Sequence, residues 1–152
     1  YALRELSAWV ERGNVPPPTS EYWVRDGQVH VPASAAERKG IQPVVHLNVN
    51  GGEHSEVGVG EAVRFIAQIE VPPAPGKVVS AKWDFEGVGT YPDAAELDDP
   101  ISETVYATAT HAFTKAGTYF PTLRVASQRE GDPSTPFARS LNIGRVRVVV
   151  HE

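Results

Sequence analysis

The chain has 152 residues with 41% hydrophobic and 22% charged positions, an ordinary globular composition with enough length for one packed core. It contains no cysteine, which excludes disulfides, thiol catalysis and cysteine-ligated metals. Nineteen acidic against fourteen basic side chains give a formal charge of −5 with no basic stripe, which argues against a nucleic-acid partner, and no apolar run approaches the ~18 residues of a membrane span.

Over residues 1–13, Leu3, Leu6 and Val10 recur at three- and four-residue steps beside Trp9, with Arg4, Glu5, Glu11 and Arg12 elsewhere on the wheel; this spacing predicts an amphipathic helix. Gly13-Asn14 supplies a left-handed stop, and Pro16-Pro17-Pro18 forbids continuation. A helix of about three turns is marginal alone in water, so its apolar stripe is expected to lie against the rest of the chain or a missing neighbour. Tyr22 and Val24, then Asp26-Gly27, then Val29 and Val31 predict a small hairpin over residues 21–32. Trp9 and Trp23 are expected to be buried where helix, hairpin and downstream domain meet. Residues 32–43 are polar and small, with room for one helical turn, and read as a linker.

From residue 44 short alternating segments recur between Gly, Pro and Asp clusters. They run through Val45, Leu47 and Val49; Val63, Phe65, Ala67 and Ile69; Val79, Ala81, Trp83 and Phe85; residues 105–113; residues 119–125; and Val146, Val148 and Val150. Period-two patterning with turn signals between short strands predicts an all-β, antiparallel β-sandwich. Pro72-Pro73-Ala74-Pro75-Gly76 reads as a rigid loop, and Gly58 and Gly60 as a bend. Trp83 and Phe85 share strand parity with Val79 and Ala81 and are expected to point inward together.

Trp83-Asp84-Phe85-Glu86-Gly87, followed by His111-Ala112-Phe113-Thr114-Lys115-Ala116-Gly117-Thr118-Tyr119, resembles the paired signature of the polycystic-kidney-disease (PKD) domain over about residues 44–150. Glu86 and Val88 depart from the family's usual turn residues. The resemblance implies an immunoglobulin-like sandwich in which Trp83 and Phe85 fill the centre. Tyr119 takes the corner position, its hydroxyl bonded to nearby backbone. Residues 2–17, with Trp9-Val10-Glu11-Arg12-Gly13 ahead of Pro16-Pro17, resemble the closing helix of secreted α/β-hydrolase-like esterases. Together the resemblances imply a secreted or periplasmic module at the C-terminus of a larger hydrolase-like protein, with residues 1–42 as helix, hairpin and linker from the boundary and residues 43–152 as the sandwich domain. The chain also opens at Tyr1 and lacks methionine, and is expected to be a piece of that longer protein.

Chemistry-bearing residues are sparse. No serine stands in a Gly-x-Ser-x-Gly elbow, so any catalytic serine is expected upstream. His30, His46, His54, His111 and His151 are far apart and form no i, i+4 pair; His111 is expected to pack with one nitrogen bonded locally, and His54 to be solvated in a polar loop. Asp93, Glu96, Asp98 and Asp99, with Glu103 after them, are the calcium candidates, because several carboxylates on one loop offer the irregular oxygen shell that Ca²⁺ prefers. The spacing is not that of an EF-hand, and the competing reading is a solvated loop that protects a sheet edge. Trp9, Tyr22, Trp23, Tyr91 and Tyr106 offer stacking platforms for a glycan or a protein partner. The expected function is a non-catalytic accessory module, needing no cofactor unless calcium binds, that spaces or supports its upstream domain. The alternatives are a carbohydrate- or protein-binding domain with calcium in the acidic loop, or part of an esterase whose catalytic residues lie upstream.

Overall fold

Alternation of apolar and polar side chains runs through the chain beyond residue 43, and there it closes into two stacked β-layers. The computed structural model describes residues 2–73, 76–100 and 102–152. In chain order it contains α1 (Ala2–Arg12), β1 (Trp23–Arg25), β2 (Gln28–His30), a 3-10 turn (Ala35–Glu37), β3 (Val44–Val49), β4 (His54–Gly58), β5 (Ala62–Glu70), β6 (Lys77–Asp84), β7 (Asp93–Ala94), β8 (Thr104–Ala112), β9 (Gly117–Tyr119), β10 (Thr122–Gln128), β11 (Arg139–Arg145) and β12 (Arg147–His151).

One layer is β3-β5-β8, antiparallel throughout. The other is built from β4-β12-β9 and β11-β10-β6-β7. These two pieces belong together because β9 runs on into β10 across Phe120-Pro121, and β11 into β12 across Val146. Pro121 has no N–H for the ladder, but its carbonyl accepts from the Val146 amide at 3.1 Å and so bridges the break. β4 pairs with β12 in parallel, the one departure from antiparallel pairing among the described residues. The chain is thus an immunoglobulin-like β-sandwich preceded by a short helix and a hairpin.

Between the layers, β5 contributes Val63, Phe65, Ala67 and Ile69, all fully buried, and they meet Trp83, Leu123, Val125 and Val148 from the facing layer. β6 carries a bulge: Ala126 opposes Ser80 and Ser127 opposes Val78, leaving Val79 as the extra residue. The parity read from the sequence therefore breaks at Val79, and Val78 takes the inward position. The pattern also hides three strands. β4 occupies a segment that reads as polar loop and carries His54 on an edge; β7 is two residues long; β11 shows its apolar Leu141 and Ile143 to solvent. Strand β3 lies against the inner side of β11, where a Cβ on Gly144 would come within 2.6 Å of Val45 Cγ1, so that side holds only small or polar residues.

The N-terminal third narrows one expectation and corrects another. α1 ends as its sequence predicts: Gly13, at φ 72°, donates to the Trp9 carbonyl (3.0 Å), the 5→1 bond of an αL cap, and Asn14 donates to the Ala8 carbonyl (3.2 Å). Its apolar stripe, however, does not pack. Leu3 is 82% exposed and Val10 76%, whereas the docked side is the one with Arg4, Glu5, Ala8 and Arg12. The Arg4 and Arg12 guanidinium carbons lie 5.4 and 4.8 Å from the Phe137 ring centre, Arg4 donates to the Pro136 carbonyl (3.2 Å), and Glu5 accepts from the Ala138 amide (3.3 Å). The correction concerns the tryptophans, expected to be buried: Trp9 is 50% exposed and Trp23 49%, and every residue of β1 and β2 is exposed. The hairpin itself turns at Asp26-Gly27, both at positive φ, and Trp23 stacks on His30 at 5.9 Å.

The connector over residues 32–43 does contain its helical turn, but it is packed rather than free. Ala35 and Ile41 are buried, the Ala35 amide donates to Glu70 (3.0 Å), Arg38 Nε to the Pro32 carbonyl (2.8 Å), and the buried Ser127 hydroxyl to the Ile41 carbonyl. Ala74 and Pro75 of the proline loop lie outside the described residues.

Candidate partner interface

Trp83, Phe85 and Tyr119 stand in one aromatic column that runs from the centre of the sandwich to its end. Trp83 and Phe85 are stacked at 5.4 Å, Phe85 and His111 at 4.4 Å; Phe113 meets His111 edge-on at 4.8 Å and Tyr119 at 4.3 Å. The Tyr119 hydroxyl donates to the Lys115 carbonyl at 2.9 Å, which ties the corner before β9. His111 Nε2 is 4.0 Å from Glu86. Asp84 is buried at the end of β6 and accepts from the amides of Gly87 (2.9 Å), Val88 (3.3 Å) and Gly89 (2.6 Å). Gly87 sits at φ 71° where a Cβ would meet the Phe120 carbonyl oxygen at 2.7 Å, so the turn passes too close to β9 and β10 for a side chain. These groups are occupied in holding the fold.

The carboxylates Asp93, Glu96, Asp98 and Asp99 do not gather. Asp93 lies on β7 opposite Trp83. Asp98 accepts from the amides of Tyr106 (2.7 Å) and Asp99 (2.8 Å), in that order the causes that hold its carboxyl below the usual range, and so it fastens the acidic loop to β8. Among the described residues no group of three His, Asp or Glu side chains is placed to hold a metal ion. Four of the five histidines face separate partners: His30 Trp23, His46 Glu70 (3.6 Å), His111 Phe85, and His151 Glu56 (3.2 Å).

What remains conspicuous is apolar surface on the N-terminal segment. On the helical wheel Leu3, Leu6 and Val10 lie opposite the Arg4, Ala8 and Arg12 face, and all three are exposed. The hairpin adds Tyr22, Val24, Val29 and Val31, also exposed. The sequence located these residues and left two places for the stripe, the rest of the chain or a neighbour; the first is excluded, because the helix docks through its other side. The signal that distinguishes the faces is Phe137, an aromatic in a loop that two arginines one helical face apart can clasp. No helix among the described residues is long and apolar enough to cross a membrane.

No protein-family model matches the chain, and no curated protein does. Several solved structures are similar to it, three of which follow. The CARDB domain of a Pyrococcus furiosus protein is 18% identical, with 72% of this chain and 95% of that one covered, at a TM-score of 0.46. AggA, the major subunit of aggregative adherence fimbriae type I from Escherichia coli, is 14% identical over 72% of this chain and 96% of its own, at 0.44. A variant of BcpA, the major pilin subunit of Bacillus cereus, is 10% identical over 88% of this chain and 48% of its own, at 0.40. None is close enough to carry a role across to this chain.

Proposed function

We propose that this chain is a non-catalytic accessory module that supports a neighbouring domain of the same polypeptide and seats that domain on the outer face of α1. The observation that carries the proposal is the inverted helix: its polar side is clasped by the Phe137 loop while Leu3, Leu6 and Val10 face outward. Exposed apolar stripes of this kind weaken solubility unless something covers them. The resemblance of residues 2–17 to the end of a hydrolase-like esterase domain supports the choice of neighbour, and the PKD resemblance supports a site of action outside the cytoplasm. The engagement of Asp84, Asp98 and Tyr119 in backbone bonds supports a module without turnover of its own.

The test is hydrogen exchange on the intact polypeptide that bears this sequence, compared with the 152-residue chain alone. The amides of α1 exchange markedly more slowly in the intact polypeptide if a neighbour seats on the stripe; equal exchange in both rules the docking out. Ester-substrate assays on the chain alone give no rate above buffer, and any turnover that tracks the purified chain contradicts the module reading.

A further inference from the structure

The outer face of β6, β10 and β11 holds a groove of about 290 Å³ lined by Ser80, Lys82, Arg124, Ala126, Arg139 and Leu141. Its floor follows from register. Ser80, Ala126 and Leu141 are directly opposite one another across three adjacent strands, and the two small residues leave a depression. The next outward rung is Lys82 beside Arg124, and Arg139 stands one outward position beyond Leu141 on the other side. Three cations therefore surround a hydroxyl-bearing floor, and no carboxylate lines it.

Their surroundings make this more than scattered surface charge. The ion pairs among the described residues use Arg25, Lys39, Arg129 and three histidines, none of these three. Arg124 is half-buried with its guanidinium carbon 4.1 Å from the Tyr91 ring centre, a stack that fixes the group while leaving its edge donors available. Arg139 is half-buried and donates through Nη2 to the Pro133 carbonyl at 2.6 Å, and its Nε is a buried donor without a partner among the described residues. The nearby carboxyl of Asp132 is held low by the hydroxyl and amide of Ser134 first and by Arg139 last, so it is already engaged. In a chain of net charge −5, three cations drawn into one groove, of which Arg139 alone has a carboxylate (Asp132) acting on it, repel each other, and an anion seated among them relieves that cost through charge-assisted hydrogen bonds.

We propose that this groove binds a tetrahedral oxyanion, a phosphate or sulfate carried as a monoester on a small organic group. The oxyanion sits over Ser80 between Lys82, Arg124 and Arg139, and the half-exposed Leu141 side chain lies alongside the carrier.

The experiment is an amide chemical-shift titration of the 152-residue chain with inorganic phosphate, inorganic sulfate, glucose 6-phosphate and glucose 6-sulfate, with glucose as the uncharged control. Saturable shifts confined to the strands around residues 80, 82, 124, 126, 139 and 141, tighter for the esters than for the inorganic ions, are the expected result. The preferred ester distinguishes the two sources of the oxyanion. Arg124→Gln and Arg139→Gln each weaken binding by roughly tenfold, the loss of one charge-assisted contact. Lys82→Glu, at an exposed position that the fold does not need, abolishes saturation while leaving the unaffected amides in place. The proposal is overturned by an absence of saturation at tens of millimolar probe, by shifts spread evenly over the chain's other basic residues, or by binding that survives Lys82→Glu. Equal response to glucose, or no preference for the esters over the inorganic ions, also counts against it.

Discussion

The sandwich and the N-terminal segment treat their apolar residues in opposite ways. In β5 every second residue, from Val63 to Ile69, is removed completely from water and faces a partner from the other layer. In α1 and the β1-β2 hairpin the large apolar residues are left outside, and α1 meets the rest of the chain through Arg4, Glu5, Ala8 and Arg12 instead. Burial of that first kind contributes roughly 1.5–3 kcal/mol for each large side chain. Exposed arginine-aromatic contacts of the second kind contribute only about 0.5–1 kcal/mol each. The sandwich is therefore its own source of stability, and the helix and hairpin are appended to it.

The largest effect that sharpens this contrast belongs to Trp83→Ala, which opens a cavity next to Phe65 and Phe85 and is expected to lower unfolding free energy by about 3–5 kcal/mol in urea denaturation. Gly144→Val comes next. Its side chain meets Val45 and Leu47 across the β3-β11 contact, and overpacking of that kind costs about 1–3 kcal/mol, read in the same assay. Smaller again is the acid limb of stability. The Asp98 carboxyl is depressed in the folded chain, so its contribution is complete above the unfolded carboxylate value near about 3.9 and fades as pH falls through the folded one. Asp98→Asn therefore lowers stability at neutral pH by that contribution, and its deficit against the parent chain shrinks as pH falls below that value, read by urea denaturation across pH. The smallest effect is predicted for the triple replacement of Leu3, Leu6 and Val10 by Gln, which leaves the thermal midpoint of the 152-residue chain nearly unchanged because those side chains are already in water. A large drop there places the stripe in the core and collapses the contrast.

Most of the fold was legible because its strands obey period two with the apolar residues inward, as Val63, Phe65, Ala67 and Ile69 do. The strands that escaped are those that break that relation. β11 turns Leu141 and Ile143 outward because the close approach of β3 leaves room only for Gly144 and its small neighbours within. The extra residue at Val79 shifts the parity of β6, a device that depends on the partner strand and leaves no local mark. The Gly13-Asn14 cap and the Asp26-Gly27 turn were legible because each depends on backbone conformation alone. The docked side of α1 was not, since it is chosen by Phe137 far along the chain. The basic groove is assembled from three strands through their registers, and neither Lys82, Arg124 nor Arg139 announces it singly.

The central claim is that the sandwich is a self-sufficient unit with an appended N-terminal segment, and native-state hydrogen exchange of the 152-residue chain tests it most directly. The account predicts that amides in β5, β6 and β10 exchange only through global unfolding, while those of α1, β1 and β2 exchange through small local openings insensitive to Trp83→Ala. If α1 amides share the protection of β5 and lose it together with β5 in the Trp83→Ala variant, the two regions are one cooperative unit and the account is contradicted.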